Sequence, residues 1–169
     1  MERIPRKKDL VDNFHGGLHS GQKGCAQSHI FLWRHILQQN LEYALILEDD
    51  ACFDKDWRQK LDDFLQFPTD WDAIFLNASE PMTPTYTWCN VQDQYLTGGY
   101  ILSQQGARRI LEMFDGCFYS SDWMTTRLQT HGLSYSYFPW LIIQEGNESS
   151  IGSNYEADRA KVIRCFTGH

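Results

Sequence analysis

The chain has 169 residues, 42% of them apolar and 14% aromatic, which is enough to bury the core of one domain and excludes intrinsic disorder. With 22 acidic and 15 basic side chains the formal charge is −7, which argues against binding along a nucleic-acid backbone. No apolar run reaches the ~18 residues of a membrane-spanning helix, and no apolar stretch follows the basic start MERIPRKKDLVDNF as a secretory signal would require.

The five cysteines (Cys25, Cys52, Cys89, Cys117, Cys165) are widely spread and contain no C-x-x-C, so a reduced, cytoplasmic setting is expected. Asn77-Ala78-Ser79 and Asn147-Glu148-Ser149 fit a glycosylation pattern that matters only in a secreted chain.

Residues 1–23 are polar, basic and glycine-rich, and are expected to form a flexible arm. From Gly24 to Asn40 the spacing of Ala26, Ile30, Trp33 and Leu37 predicts an amphipathic helix, with Asn40 as its stop. Tyr43–Leu47 is a continuous apolar run and predicts a strand buried on both faces, as in a parallel sheet. Asp54 is a candidate cap for a second helix with Trp57, Leu61, Phe64 and Leu65 inward, ending before Pro68. Asp72–Leu76 is the next strand, and residues 78–93 read as a long loop. Gly99–Ser103 predicts a third strand, followed by a helix over 104–114 stopped at Gly116. Ser121-Asp122 opens another helix, stopped by Gly132, and a fourth strand covers about 134–138. Strands alternating with helices predict an α/β domain over 24–151 with a mostly parallel sheet, and a tail over 152–169.

Three clusters could carry chemistry. Glu48-Asp49-Asp50 directly follows a strand, where open α/β sheets bind ligands. Adjacent carboxylates repel, and a cation of the Mg²⁺ or Mn²⁺ type would relieve them; the plainer reading is a solvated acidic turn. His15, His19, Cys25 and His29 have the residue types of a zinc site, but their spacing fits no standard structural-zinc pattern. On the bland reading Cys25 packs and His29 hydrogen-bonds near a helix start.

The glycines of Leu96-Thr-Gly98-Gly99-Tyr-Ile-Leu-Ser103 permit close approach of a ligand, or merely an awkward turn. No P-loop, G-x-G-x-x-G or G-x-S-x-G occurs, which removes the main support for ATPase, dinucleotide-dehydrogenase and α/β-hydrolase readings. Asp122 is either an N-terminal capping carboxylate or a catalytic base. Trp123 and Trp140 could stack on a sugar, with core packing the default, and Gln144 and Ser149 have no role assignable from composition.

In order, these pieces resemble glycosyltransferase family 25, the lipopolysaccharide and lipooligosaccharide glycosyltransferases to which collagen galactosyltransferase domains are related. Gly24-Cys-Ala-Gln-Ser-His29 is similar to its G-C-x-x-S-H segment, and Tyr43–Asp50 to its strand and acidic motif. Thr97–Ser103 with Gly106-Ala107 resembles its G-x-x-Y-[IL]-[IL]-S…G-A block, and Pro139…Gln144…Ser149-Ser-Ile151 its closing segment. The resemblance implies a GT-A-like (Rossmann-like) fold and inverting, metal-dependent transfer of a sugar, often galactose, from a nucleotide-sugar such as UDP-galactose to a saccharide acceptor.

On that resemblance Glu48-Asp49-Asp50 is the counterpart of a D-x-D-like motif. Glu48 and Asp50 would contact the nucleotide ribose and the Mn²⁺ or Mg²⁺, Asp49, Gly98 and Gly99 would help bind the donor, and Asp122 would be the base. It allows peripheral contact with the cytoplasmic face of the inner membrane. The family's usual first strand has no counterpart before Gly24, so a truncated form, weak donor binding and a homodimer covering the exposed sheet edge are expected. The competing reading from another class is a non-catalytic member that binds saccharide or a partner protein. A metal-dependent phosphohydrolase shares the carboxylates but lacks the further His and Asp ligands of a two-metal site.

Overall fold

The computed structural model describes residues 11–53, 57–64, 70–77, 89–91, 94–95, 97–136 and 141–144. Its elements in order are α1 (Ser20–Gln38), β1 (Tyr43–Leu47), β2 (Ala51–Phe53), α2 (Trp57–Phe64), β3 (Ala73–Phe75) and β4 (Cys89–Asn90). They continue with β5 (Gly99–Ser103), α3 (Gln104–Met113), α4 (Ser121–His131), β6 (Ser134–Ser136) and β7 (Ile142–Gln144).

α1 forms because Ala26, Ile30, Trp33 and Ile36 share one face and all are buried. It ends as the sequence predicts. Asn40 takes the left-handed conformation (φ 53°), its N–H reaches Leu37 O, and Leu41 N–H reaches Ile36 O, closing the last turn. Its start differs. The helix begins at Ser20, and Gln22 Oε1 accepts the His19 N–H at 3.3 Å. Upstream, Phe14 bridges Phe118 and Val11 N–H donates to Gln27 Oε1, so residues 11–19 are seated on the domain where an arm is expected.

Five strands make the main sheet in the order β1-β5-β3-β6-β4, with β2 and β7 in a separate two-stranded ribbon. The architecture is mixed α/β and GT-A-like. Strand direction differs from expectation: β3–β6 is parallel, while β1–β5, β3–β5 and β4–β6 are antiparallel, as is β2–β7. A continuous apolar run reports burial on both faces and says nothing about direction, which is why β5, central and buried along Gly99–Leu102, reads like a parallel strand.

β1 departs from expectation in burial as well. Among the described residues it is an edge strand, and Tyr43, Leu45 and Leu47 are 46%, 41% and 39% exposed while Ile46 is buried. α1, α3 and α4 cover one sheet face through Trp33, Ile110, Met124 and Leu128, packed on Ile46, Phe75, Tyr100 and Leu102. Ile74, Leu76 and Ile101 of the other face pack on Leu141 and Ile142.

α3 and α4 lie where predicted. Ser103 Oγ caps α3 by accepting the Gly106 N–H at 3.0 Å, and Gly132 N–H closes α4 on Leu128 O. α2 is a helix as expected, with the Asp54 cap and Leu65 outside the described residues. The loop over 78–93 and the strand end at 137–138 fall mostly outside them too, and β2, β4 and β7 are additions to the sequence reading.

Candidate functional site

The chemistry gathers at the end of the main sheet where β1 and β3 finish and β5 begins. Glu48, the first residue after β1, donates its N–H to Gly98 O at 3.0 Å, so the glycine pair fixes the acidic turn through backbone. Gly99 donates its N–H to Asn77 Oδ1 at 3.1 Å, linking the end of β3 to the same place. Asn77 is only 3% exposed, and its Nδ2 is a buried donor with no partner among the described residues.

The Glu48 side chain turns inward rather than toward solvent. Thr97 Oγ1 donates to Glu48 Oε1 at 2.6 Å, and His29 Nε2 lies 3.4 Å from the same oxygen. Cys25 Sγ lies 4.0 Å from it and 3.3 Å from Ser121 Oγ at the start of α4. Behind His29, Nδ1 is 2.7 Å from Tyr100 Oη, which also accepts Trp33 Nε1–H at 2.8 Å. Cys25 and His29 reach one another because they sit four residues apart on α1 and share its face.

Burial pushes the His29 imidazolium down, but Tyr100, Cys25 and Glu48 outweigh it and hold the group well above its ordinary value of 6.5. Burial raises the Glu48 carboxyl, and the His29 and Thr97 hydrogen bonds outweigh that and hold it below its ordinary 4.5. Together they make a buried ion pair. Tyr100, fully buried, is raised by desolvation and stays a neutral phenol.

The signs give a stability profile. Glu48's contribution is present above pH 4.5 and lost as pH falls through its depressed folded value. His29's is complete below pH 6.5 and lost as pH rises through its raised folded value. Urea midpoints measured across pH should therefore plateau between 4.5 and 6.5 and fall on both sides, with both arms shallower in Glu48→Gln. Parallel profiles for the two proteins would show that the pair does not set the dependence.

The remaining predicted residues fall around this centre. Asp49 is exposed and Asp50 half-buried on the β1–β2 turn. Asp122, in the first turn of α4, accepts Trp123 N–H on its own Oδ1 at 2.8 Å, and its carbonyl accepts the Thr125 and Thr126 hydroxyls. Trp123 packs 4.3 Å from Tyr119 and 5.7 Å from Phe114, with Arg127 over its ring, so it belongs to an aromatic cluster. Gln144 ends β7, while Trp140 and Ser149 lie outside the described residues.

His15 stacks on Tyr119 and His19 precedes α1. Among the described residues only Cys25 and His29 of the four-residue cluster come together, and the third ligand type beside them is Glu48. Sequence reasoning gave Thr97, Tyr100, Trp33, Asn77 and Ser121 no role as partners. The available signal was that the first three lie inside or beside the blocks singled out.

The family model described as "Glycosyltransferase family 25 (LPS biosynthesis protein)" matches residues 7–87. The chain is 36% identical to Procollagen galactosyltransferase 1-B of Xenopus laevis over 113 residues, which are 59% of this chain and 18% of that protein. It is 29% identical to human Procollagen galactosyltransferase 2 over 123 residues, 66% of this chain and 19% of the relative. Against Lacto-N-neotetraose biosynthesis glycosyltransferase LgtE of Neisseria meningitidis serogroup B it is 28% identical over 180 residues, covering 85% of this chain and 62% of LgtE. The matched part thus spans about a fifth of the procollagen galactosyltransferases.

Proposed function

We propose that this chain, a relative of glycosyltransferase family 25, transfers a sugar from a nucleotide-sugar to a saccharide acceptor at the end of the sheet occupied by Glu48, Asp50 and Gly98. One observation carries the reading. Three sequence blocks far apart in the chain converge on Glu48: Cys25 and His29 from the first and Thr97 from the third meet its carboxylate, Gly98 O accepts its backbone N–H, and Tyr100 stands behind His29. The donor is a UDP-sugar with galactose as the transferred group, in keeping with the names of the procollagen relatives. The acceptor is a saccharide of the lipopolysaccharide type, met in the cytoplasm at the inner membrane, in keeping with the family's description. No described helix is long and apolar enough to cross a membrane.

The carboxylates of the β1–β2 turn fit a divalent cation of the Mg²⁺ or Mn²⁺ class, because exposed Asp49 and half-buried Asp50 offer the hard oxygen donors such ions take. Asp50 and Asp49 suit that role better than Glu48, whose Oε1 faces Thr97 and His29. When bound, the cation neutralises charge on the departing diphosphate. Glu48 sets the position of the turn, and Asn77 Nδ2 supplies a hydrogen bond to a donor oxygen. Asp122 takes the acceptor hydroxyl's proton as the bond to the sugar forms, with inversion.

Calorimetric titration of UDP-galactose in the presence of Mn²⁺, on the wild type and on Asp50→Ala, tests this. Binding should need the metal and be weakened about 100-fold in the variant. Failure of the folded wild type to bind UDP-, GDP- and CMP-sugars would overturn the reading and favour a non-catalytic binding module.

A further inference from the structure

Cys25 and His29 meet Glu48, yet the transfer step described above gives neither of them a chemical role. Sγ, Nε2 and a carboxylate oxygen lie within 4.8 Å of one another, with Nε2–Oε1 at 3.4 Å and Sγ–Oε1 at 4.0 Å. Zinc bonds of about 2.0–2.3 Å place neighbouring tetrahedral ligands about 3.3–3.8 Å apart. The Nε2–Oε1 pair already fits, Sγ and Oε1 need to close by a few tenths of an ångström, and Sγ and Nε2, within 4.8 Å, by at most about 1 Å, which a side-chain rotation supplies.

We infer that Cys25 Sγ, His29 Nε2 and Glu48 Oε1 form a binding site for zinc, distinct from the hard-cation turn at Asp49 and Asp50 and independent of the transfer reading.

Three features support it beyond the distances. First, the donor set discriminates: a thiolate with an imidazole selects zinc and disfavours Mg²⁺ or Mn²⁺, which prefer oxygen. Second, each ligand has an orienting partner, as metal ligands usually do. Tyr100 Oη holds His29 Nδ1, Thr97 holds Glu48 Oε1, and Ser121 Oγ stands 3.3 Å from Cys25 Sγ. Third, the charges balance, because thiolate, neutral imidazole and carboxylate bring two negative charges to a dication in a largely buried place.

Binding releases the Cys25 thiol proton and the His29 Nε2 proton to solvent, while Nδ1 keeps its proton toward Tyr100. Three protein ligands leave a fourth position for a solvent molecule. The zinc would tie α1, β1 and, through Ser121, the start of α4.

The experiment is Co²⁺ titration of the reduced full chain, read by the thiolate-to-cobalt charge-transfer band and by displacement of that band with Zn²⁺. The band should saturate at one equivalent, excess Mn²⁺ should not diminish it, and Asp50→Ala should give the same band as wild type. Cys25→Ser, shown folded by circular dichroism, should lose the band. A folded wild type with no band, or a band that survives in Cys25→Ser, would overturn the site.

Should Cys25→Ser not fold, alkylation of the wild type settles the matter by mass spectrometry. Zn²⁺ should slow modification of Cys25 about tenfold or more while leaving the half-buried Cys52 and Cys117 unchanged. Equal protection of all three, or of none, would defeat the proposal. Because neither readout involves a nucleotide-sugar, the zinc site and the transferase reading can fail separately.

Discussion

Tyr100→Phe is expected to cost about 2–4 kcal/mol of folding stability, although it removes a single oxygen atom and keeps the ring. That oxygen accepts Trp33 Nε1–H at 2.8 Å and meets His29 Nδ1 at 2.7 Å. An indole N–H can only donate, and an imidazolium likewise, so deleting the acceptor strands two donors in a place where Tyr100 and Trp33 are fully buried. The ring's stacking on Phe75 and His29, with centroids 5.8 Å apart in both cases, would survive the change and isolates the hydroxyl's share. Urea denaturation at neutral pH reads the cost. A loss under about 1 kcal/mol would mean that the two donors find other acceptors.

The second large effect lies at the opposite end of β3. Asp72→Ala should cost about 3 kcal/mol and leave donor binding to the folded fraction unchanged. Asp72 is fully buried at the start of β3, and its Oδ2 accepts Leu133 N–H at 2.8 Å while Oδ1 accepts Gln105 Nε2 at 3.2 Å. Arg109 Nε stands 3.3 Å away but is 40% exposed, so its share is discounted for screening.

The backbone there is closed as tightly. A Cβ on Gly106 would sit 2.2 Å from the Asp72 backbone carbonyl oxygen, and one on Gly132 would sit 2.4 Å from Asp72 Oδ2, so α3 closes on the backbone of Asp72 and the turn after α4 on its carboxylate. A parallel shift of the urea midpoint without change in slope would support the assignment. Unchanged stability, or weakened donor binding with stability intact, would refute it.

Much of this molecule is legible from local pattern. Asn40 stops α1 because a residue tolerant of φ 53° follows the last apolar position, and Ser103 and Gly132 mark helix ends for equally local reasons. Pairing is not local. The runs Tyr43–Leu47 and Gly99–Ser103 look alike in sequence, yet one is a half-exposed edge and the other a buried centre, because neighbours decide burial. The ribbon of β2 and β7 joins segments about ninety residues apart, and three residues a side carry too little pattern to announce it.

The same holds at the site. The i, i+4 spacing of Cys25 and His29 puts them on one face, and the Gly98-Gly99 pair announces close backbone approach. That Glu48 turns inward to meet them depends on the β1–β5 register, which places Leu47 opposite Gly99. Asp72 opens the predicted strand Asp72–Leu76 with nothing local to mark it as buried, because a lone acidic residue at a strand end usually faces water.

The position of β1 at the sheet edge has a consequence for how the site behaves. Among the described residues β1 is hydrogen-bonded along one side only, to β5, and Glu48 follows directly from its last residue. A slip of one residue in that pairing would turn Ile46 out, carry Glu48 away from Thr97 and break its link to Gly98. A strand paired on one side only thus carries the carboxylate on which the surrounding side chains depend. Docking of β1 and assembly of the site become one equilibrium, and whatever binds Glu48 also fastens the edge of the sheet.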